Sequence, residues 1–294
     1  MANQSLLFRG NRSYRFEASH SDLIPMNEVS IVEQEALFGN TILAHGHNYK
    51  LNLEVVGPID PATYMIMDLG GLDSIVKKHI VDRFDHRHIN HFFLKKYHPI
   101  TNEWLAQYCF ETLTNFPIVA RVLDKIVLWD TDLTCCIIQK GNKMVYRTHI
   151  FDFTAIHRLN NDDLTEEENF ALFGKCTREH GHNYTLKVII KGIPNPTTNQ
   201  LISNQVMEER MCRVIAEFDY SKLHEVLPFK DRVATTETFI ERLWDIIHGE
   251  VLLMSKTKYA GIHLELHGLH IQETATQGFS YFGPRDNNPV FVAN

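Results

Sequence analysis

The stretch Phe173-Gly174-Lys175-Cys176-Thr177-Arg178-Glu179-His180-Gly181-His182-Asn183-Tyr184 places a thiol four residues ahead of a His-Gly-His pair. The run that follows, from Tyr184 through Leu186, Val188, Ile189 and Ile190, predicts a strand. Alternate side chains of a strand point to one face, so His180 and His182 project together. Two imidazoles on one rigid face are part of a metal site, and zinc held by three histidines with an open fourth position is a catalytic arrangement. His157 is the candidate third ligand, because it ends another strand-like run, Thr148 to Ile156.

The pattern occurs twice. Phe38-Gly39-Asn40-Thr41-Ile42-Leu43-Ala44-His45-Gly46-His47-Asn48-Tyr49 reproduces the stretch, and His20, after Tyr14 to Ser19, mirrors His157. His180 and His182 lie 135 residues beyond His45 and His47, and His157 lies 137 beyond His20. A match at so long a period indicates one duplicated domain. The copies differ at an informative position, where Cys176 stands opposite Thr41.

Composition sets the outer limits. The 294 residues suffice for two domains, each with its own core. Hydrophobic content of 44% and charged content of 22% are those of a soluble globular chain. A net charge of −7 argues against a general nucleic-acid binder, which carries a basic face. No run approaches the ~18 apolar residues of a membrane span, and Met1 to Gly10 lacks the apolar core of a signal peptide. The five cysteines, with no Cys-x-x-Cys, fit a reducing, cytoplasmic location better than a disulfide framework.

Periodicity predicts the elements. In the first copy, strands are expected at 12–20 and 49–57, a short helical turn at 31–38, helices at 69–84 and 101–116, and strands at 125–130 and 135–140. In the second, strands are expected at 147–157 and 182–192, helices at 203–217 and 236–248, and strands at 261–273 and 277–282. Each copy thus reads strand, strand, helix, helix, strand, strand. The repeats are assigned to residues 1–143 and 144–294, with a short linker between them, a longer connection near 253–260 and an irregular tail from Pro284.

Both halves resemble the family of 6-pyruvoyl-tetrahydropterin synthase and 6-carboxytetrahydropterin synthase. The residues that carry the resemblance are Phe16 to His20 and Phe153 to His157, Leu172 to Cys176, and His-Gly-His-Asn-Tyr in both copies. Asp85-His86, Glu103 and Glu237 at helix starts, and Glu273-Thr274 in a late strand complete the set. The resemblance implies an α+β tunnelling fold: two tandem repeats, each with a four-stranded antiparallel sheet and two helices, joining as homo-oligomers into barrels. It implies a small-molecule pterin substrate, Zn2+ as cofactor, and neither nucleic acid nor membrane as partner. It also implies that His157, His180 and His182 hold zinc, as do His20, His45 and His47. Cys176 becomes the proton-transfer base, Asp85-His86 a proton relay, and Glu273 the anchor of the pterin edge. Glu237 and Glu103 are substrate contacts, as is Asp130, which occupies the Glu273 position of the first copy.

Neither copy carries the full set. The first has Asp85-His86 but Thr41 in place of the thiol, and a threonine hydroxyl is too weak a base to replace a thiolate unaided. The second has Cys176 and Glu273, but Asp219-Tyr220 in place of the relay pair. The expectation is a composite site in which Cys176, the second histidine set and Glu273 face Asp85 and His86 of a first-type domain. The short Cys-x-x-x-His-Gly-His spacing looks more like the 6-carboxytetrahydropterin branch, on the route to queuosine-type deazapurines. Production of 6-pyruvoyl-tetrahydropterin is the alternative within the same chemistry, and a non-catalytic zinc- and pterin-binding protein the alternative outside it. The first histidine set reads equally as a substrate site and as a structural metal site. Cys135 and Cys136, in an apolar strand, read as core.

Overall fold

The computed structural model describes residues 6–24, 29–93, 99–226 and 232–284. The chain forms two compact units. The first comprises 1–147 together with 191–203 and 258–263; the second comprises 148–190, 204–257 and 264–294.

In the first unit β1 (Leu7–His20) runs antiparallel to β2 (His45–Pro58), in register from Leu7 opposite Pro58 to His20 opposite His45. Their alternation buries one face, with Tyr14, Phe16, Tyr49, Leu51, Leu53 and Val55 inside. α1 (Ile31–Phe38) lies between these strands in sequence. β4 (Leu123–Trp129) and β5 (Thr134–Gln139) extend the sheet, while the two-residue β3 (Arg87–His88) pairs parallel with β1, giving the order β5-β4-β2-β1-β3. α2 (Leu69–Val76), α3 (Asp82–Phe84), α4 (Asn102–Thr114) and α5 (Pro117–Val122) supply the covering layer. Leu72, Val76, Ile80, Phe84, Leu105, Cys109 and Leu113, at helical spacing, are fully buried there.

The second unit repeats the plan. β6 (Val145–His157) carries the chain into it, followed by α6 (Glu166–Phe173), β7 (His180–Ile193), α7 (Asn204–Ala216), β8 (Ser221–Lys222), α8 (Leu223–Val226), α9 (Thr236–Met254), β9 (Ile262–Thr274) and β10 (Gln277–Tyr281). The strand order is β10-β9-β7-β6, and β8 pairs parallel with β6.

The structure departs from the sequence expectations at element ends. β1 begins at Leu7 rather than 12, and β2 and β7 begin at His45 and His180, so each His-Gly-His lies inside its strand. The helix expected over 69–84 is interrupted by a π-helical turn, Lys77–Val81. α9 runs past Gly249 to Met254, absorbing part of the expected connection, because Ile247, Val251 and Met254 bury one more helical face. That burial outweighs the roughly 1 kcal/mol that glycine costs in a helix. α1 and α6 add a helix to the six-element plan of each repeat. Beyond Pro284, the expected irregular tail lies outside the described residues. No helix among the described residues is long and apolar enough to cross a membrane.

Candidate active site

One local device positions the thiol of the second repeat and the hydroxyl of the first. Thr165 and Glu168 form a capping box at the start of α6, as Ser30 and Glu33 do for α1. Each helix ends on a glycine with positive φ, 57° at Gly174 and 54° at Gly39, in a backbone region that only glycine enters freely. A single 3-10 turn follows, Gly174–Thr177 or Gly39–Ile42, and it carries Cys176 or Thr41. The Cys176 carbonyl accepts from Leu159 N at 2.8 Å, just as Thr41's accepts from Asp22 N at 3.0 Å.

In the second unit His157, at the end of β6, meets His180 and His182 of β7. Ring centroids lie 4.6 Å (157 to 180), 5.2 Å (157 to 182) and 5.1 Å (180 to 182) apart. One ligand nitrogen from each falls within 4.8 Å of the others. His157 Nδ1 donates to the Ala234 carbonyl at 3.0 Å and His180 Nδ1 to the Arg178 carbonyl at 2.8 Å. A carbonyl can only accept, so the opposite nitrogen of each ring keeps its lone pair. His157 Nε2 is buried with no hydrogen-bond partner, 3.4 Å from Glu273 Oε1. A lone pair held beside a carboxylate is an arrangement that a cation satisfies. Burial also lowers the pKa of His157 and His182, which keeps the rings in the neutral, ligating form. The donor set therefore fits a zinc ion.

These histidines line a cavity of about 710 Å³ with Lys175, Cys176, Arg178, Glu237 and Glu273. Glu273 is buried and accepts from Thr236 Oγ1 at 2.7 Å. Tyr184 is buried beside His182; burial above all, and then the charge of Glu273 and a hydrogen bond to it, raise its pKa well above the usual phenol value. Thr236 and Tyr184 have no place in the sequence-based site. Tyr184 was legible by strand period, since it shares a face with His180 and His182. Thr236 was not, because its partner lies 37 residues away on another strand.

The first unit holds the equivalent cluster. His20 and His45 have ring centroids 4.2 Å apart, His20 and His47 5.2 Å, and His45 and His47 5.1 Å. His45 Nδ1 donates to the Leu43 carbonyl at 2.9 Å, and His47 Nε2 is buried without a partner. Burial brings the His47 pKa down to about 4. This cluster also fits a metal, but the positions around it are committed elsewhere. Thr41 Oγ1 donates to Phe38 O at 2.8 Å. Asp130 accepts from Thr134 Oγ1 at 2.8 Å, from Arg147 Nη2 at 2.9 Å and from Asn102 Nδ2. Arg147 is 1% exposed, so the Asp130–Arg147 pair is a buried ion pair. Glu103, also buried, accepts from Leu201 N at 3.2 Å.

His86 lines a cleft of about 350 Å³ in the first unit with Glu17, Ser19, His47 and His88. Asp85 Oδ1 accepts from Glu17 N at 2.9 Å, and Oδ2 lies 3.0 Å from His86 Nδ1. The backbone bond from Glu17 and the His86 contact lower the Asp85 pKa; Asp85 raises that of His86. His86 has φ 56°. The second unit keeps the same backbone with a different side chain: Asp219 Oδ1 accepts from Thr154 N at 2.9 Å, and Tyr220 has φ 53°. The aspartate is thus an edge clamp in both units, and the titrating partner is present only in the first.

A model of the family described as 6-pyruvoyl tetrahydropterin synthase matches residues 10–141 and again 146–284. The chain belongs to this family. A 6-pyruvoyl tetrahydrobiopterin synthase of Poecilia reticulata is 35% identical over 109 residues, 36% of this chain and 74% of that protein. The one from Drosophila melanogaster is 31% identical over 143 residues, 47% of this chain and 80% of that protein. The solved 6-pyruvoyl tetrahydropterin synthase of Caenorhabditis elegans is 28% identical and covers 48% of this chain and 96% of that one, with a TM-score of 0.42. The two successive matches of the family model put one synthase domain in each half of this chain, and the α+β tunnelling fold is present in tandem.

Proposed function

We propose that the chain is a zinc-dependent pterin lyase whose substrate site is the cavity of the second unit, and that it converts dihydroneopterin triphosphate to 6-carboxytetrahydropterin. The observation that carries this reading is the convergence of Cys176, three histidines and Glu273 on one cavity. Zinc held by His157, His180 and His182 would polarise the oxygens of the substrate side chain and acidify the neighbouring C–H bonds. The Cys176 thiolate takes the proton, with Lys175 and Arg178 as neighbouring cations on the cavity wall. Those cations also suit the substrate triphosphate. Glu273, already oriented by Thr236, presents its carboxylate to the guanidine-like edge of the pterin, with Glu237 as a further contact. The first unit contributes Asp85-His86, which we assign as the proton relay for Cys176 in a composite site. Its own histidine set is a structural metal site, because Glu103 and Asp130 are already engaged.

The short Cys-x-x-x-His-Gly-His spacing favours the carboxy product. The names of the relatives favour 6-pyruvoyl-tetrahydropterin instead. Incubation with dihydroneopterin triphosphate separates the two: acetaldehyde release with 6-carboxytetrahydropterin is the expected result, and triphosphate release without acetaldehyde would establish the pyruvoyl activity. Bound zinc and pterin with no turnover would instead mark a non-catalytic binding protein.

A further inference from the structure

In the second unit, backbone carbonyls hold the far side of two rings: His157 Nδ1 donates to Ala234 O at 3.0 Å and His180 Nδ1 to Arg178 O at 2.8 Å. In the first unit His45 Nδ1 donates to Leu43 O at 2.9 Å in the same way, but His20 makes no hydrogen bond to a carbonyl among the described residues. Its Nδ1 faces Asp22 Oδ1 instead, 3.3 Å away. The two side chains are only 2% and 11% exposed. Both facing atoms are buried, and neither has a hydrogen-bond partner among the described residues. His20 Nε2, on the other side of the ring, is buried and unpartnered as well, like His47 Nε2.

The backbone around this pair is common to both repeats. Asp22 N donates to Thr41 O at 3.0 Å as Leu159 N donates to Cys176 O at 2.8 Å. Only the side chain differs: a leucine lines the cavity of the second unit where the first unit places a carboxylate. A leucine there needs no polar partner, whereas a buried carboxylate oxygen left without one is destabilising. The second triad has a carboxylate of its own, but on the opposite side of the ring. Glu273 Oε1 lies 3.4 Å from His157 Nε2, on the wall of the cavity. Asp22 lies on the Nδ1 side of His20, so it acts through the ring rather than beside it.

We propose that Asp22 is a positioning residue for a metal ion on His20, His45 and His47. The inference rests on the reading of that triad as a structural metal site. A neutral ring that binds the ion through Nε2 carries its proton on Nδ1, and the Asp22 carboxylate accepts that proton's hydrogen bond. The contact fixes the tautomer and the direction of the ring, and an anionic acceptor makes Nε2 a stronger ligand than a carbonyl does. It also places one negative charge close behind a dication in a buried setting, where charges interact most strongly. Asp130, at the position of Glu273, is already neutralised by Arg147, so Asp22 supplies the charge that the first triad would otherwise lack. The first triad is thereby built to retain its ion.

Zinc affinity of the full-length chain tests this, by competition with a chromophoric chelator. The background is His180→Ala/His182→Ala, so that the first triad alone competes. Asp22→Asn, which keeps the shape and a neutral acceptor, is expected to weaken zinc binding about tenfold, and Asp22→Ala, which removes the acceptor, up to about 100-fold. Asp22→Glu is expected to restore part of the loss, because it returns the carboxylate. Near-ultraviolet circular dichroism checks that each variant is folded. Equal zinc dissociation constants in the background, Asp22→Asn and Asp22→Ala would overturn the role of Asp22, and a lower urea midpoint of the metal-free variants would then mark it as architectural. A folded background that binds no zinc would overturn the metal reading of the triad, and the inference with it.

Discussion

Asp130 and Glu273 occupy equivalent strand positions, yet their surroundings predict opposite phenotypes. Asp130→Asn removes the carboxylate that pairs at 2.9 Å with the Arg147 guanidinium, which is 1% exposed. Breaking a buried pair and leaving one charge behind costs roughly 3–5 kcal/mol. At ~2–4 °C per kcal/mol for a domain-sized unit, the midpoint of thermal unfolding should fall by roughly 6–20 °C. Glu273→Gln keeps the shape and the Thr236 contact, and among the described residues its ionisable neighbours are His157 and His182, which burial keeps neutral, so stability should barely change. On the proposed function it should lose a charge-assisted contact to the pterin, about 1.5–3 kcal/mol, or roughly 10–150-fold in dissociation constant. Differential scanning calorimetry and calorimetric titration with unreactive pterin, on both variants, read the two quantities. If Glu273→Gln unfolds as early as Asp130→Asn while binding pterin normally, the assignment of one carboxylate to architecture and the other to substrate is wrong.

Other outcomes follow from the same geometry. Cys176→Ala should abolish turnover while zinc content, measured by atomic absorption, is unchanged; if His86→Ala then shows wild-type turnover, the composite relay is wrong. Gly174→Ala forces a side chain into a backbone with φ 57°, at a cost of about 1–3 kcal/mol, and should lower kcat by moving Cys176; equilibrium denaturation and kinetics check both effects. For the metal-free protein, His47 titrates near about 4 in the fold against an ordinary 6.5. Because the unfolded state then binds more protons, stability should fall as pH drops from 6.5 towards 4, by up to about 3 kcal/mol, seen as a shift in urea midpoint. The exposed Asp85–His86 pair should respond at both ends: Asp85's lowered pKa loses its contribution as pH falls into the carboxylate range, and His86's raised pKa loses its own as pH rises past the ordinary histidine value. Exchange of the His86 ring protons followed by NMR reports the second effect.

Local rules made most of the fold legible. Period-two alternation placed His180, His182, His45 and His47 on their faces, and a long-period match exposed the duplication before any contact was known. Misreadings fell where burial overrode a local signal, as at Gly249 inside α9, or where strands extended through polar ends, as at Leu7 and His45. Candidate ligands were legible because their chemistry is rare and their spacing regular. The thiol's place was legible from its spacing to His180 and His182, whereas the capping box and the Gly174 turn that hold it emerge from the structure.

The sequence alone determined the repeat, the two candidate histidine triads, the thiol four residues before the second His-Gly-His and the strands that aim them, because each of these is a regular spacing along the chain. Only tertiary structure decided which carboxylates are open. Asp130 and Glu103 look like ligands in the chain and are occupied in the fold, by Arg147 of β6 and by the Leu201 amide nearly a hundred residues away. A side chain's availability depends on what is packed against it, and partners that distant in sequence leave no periodic trace for a reader of the chain.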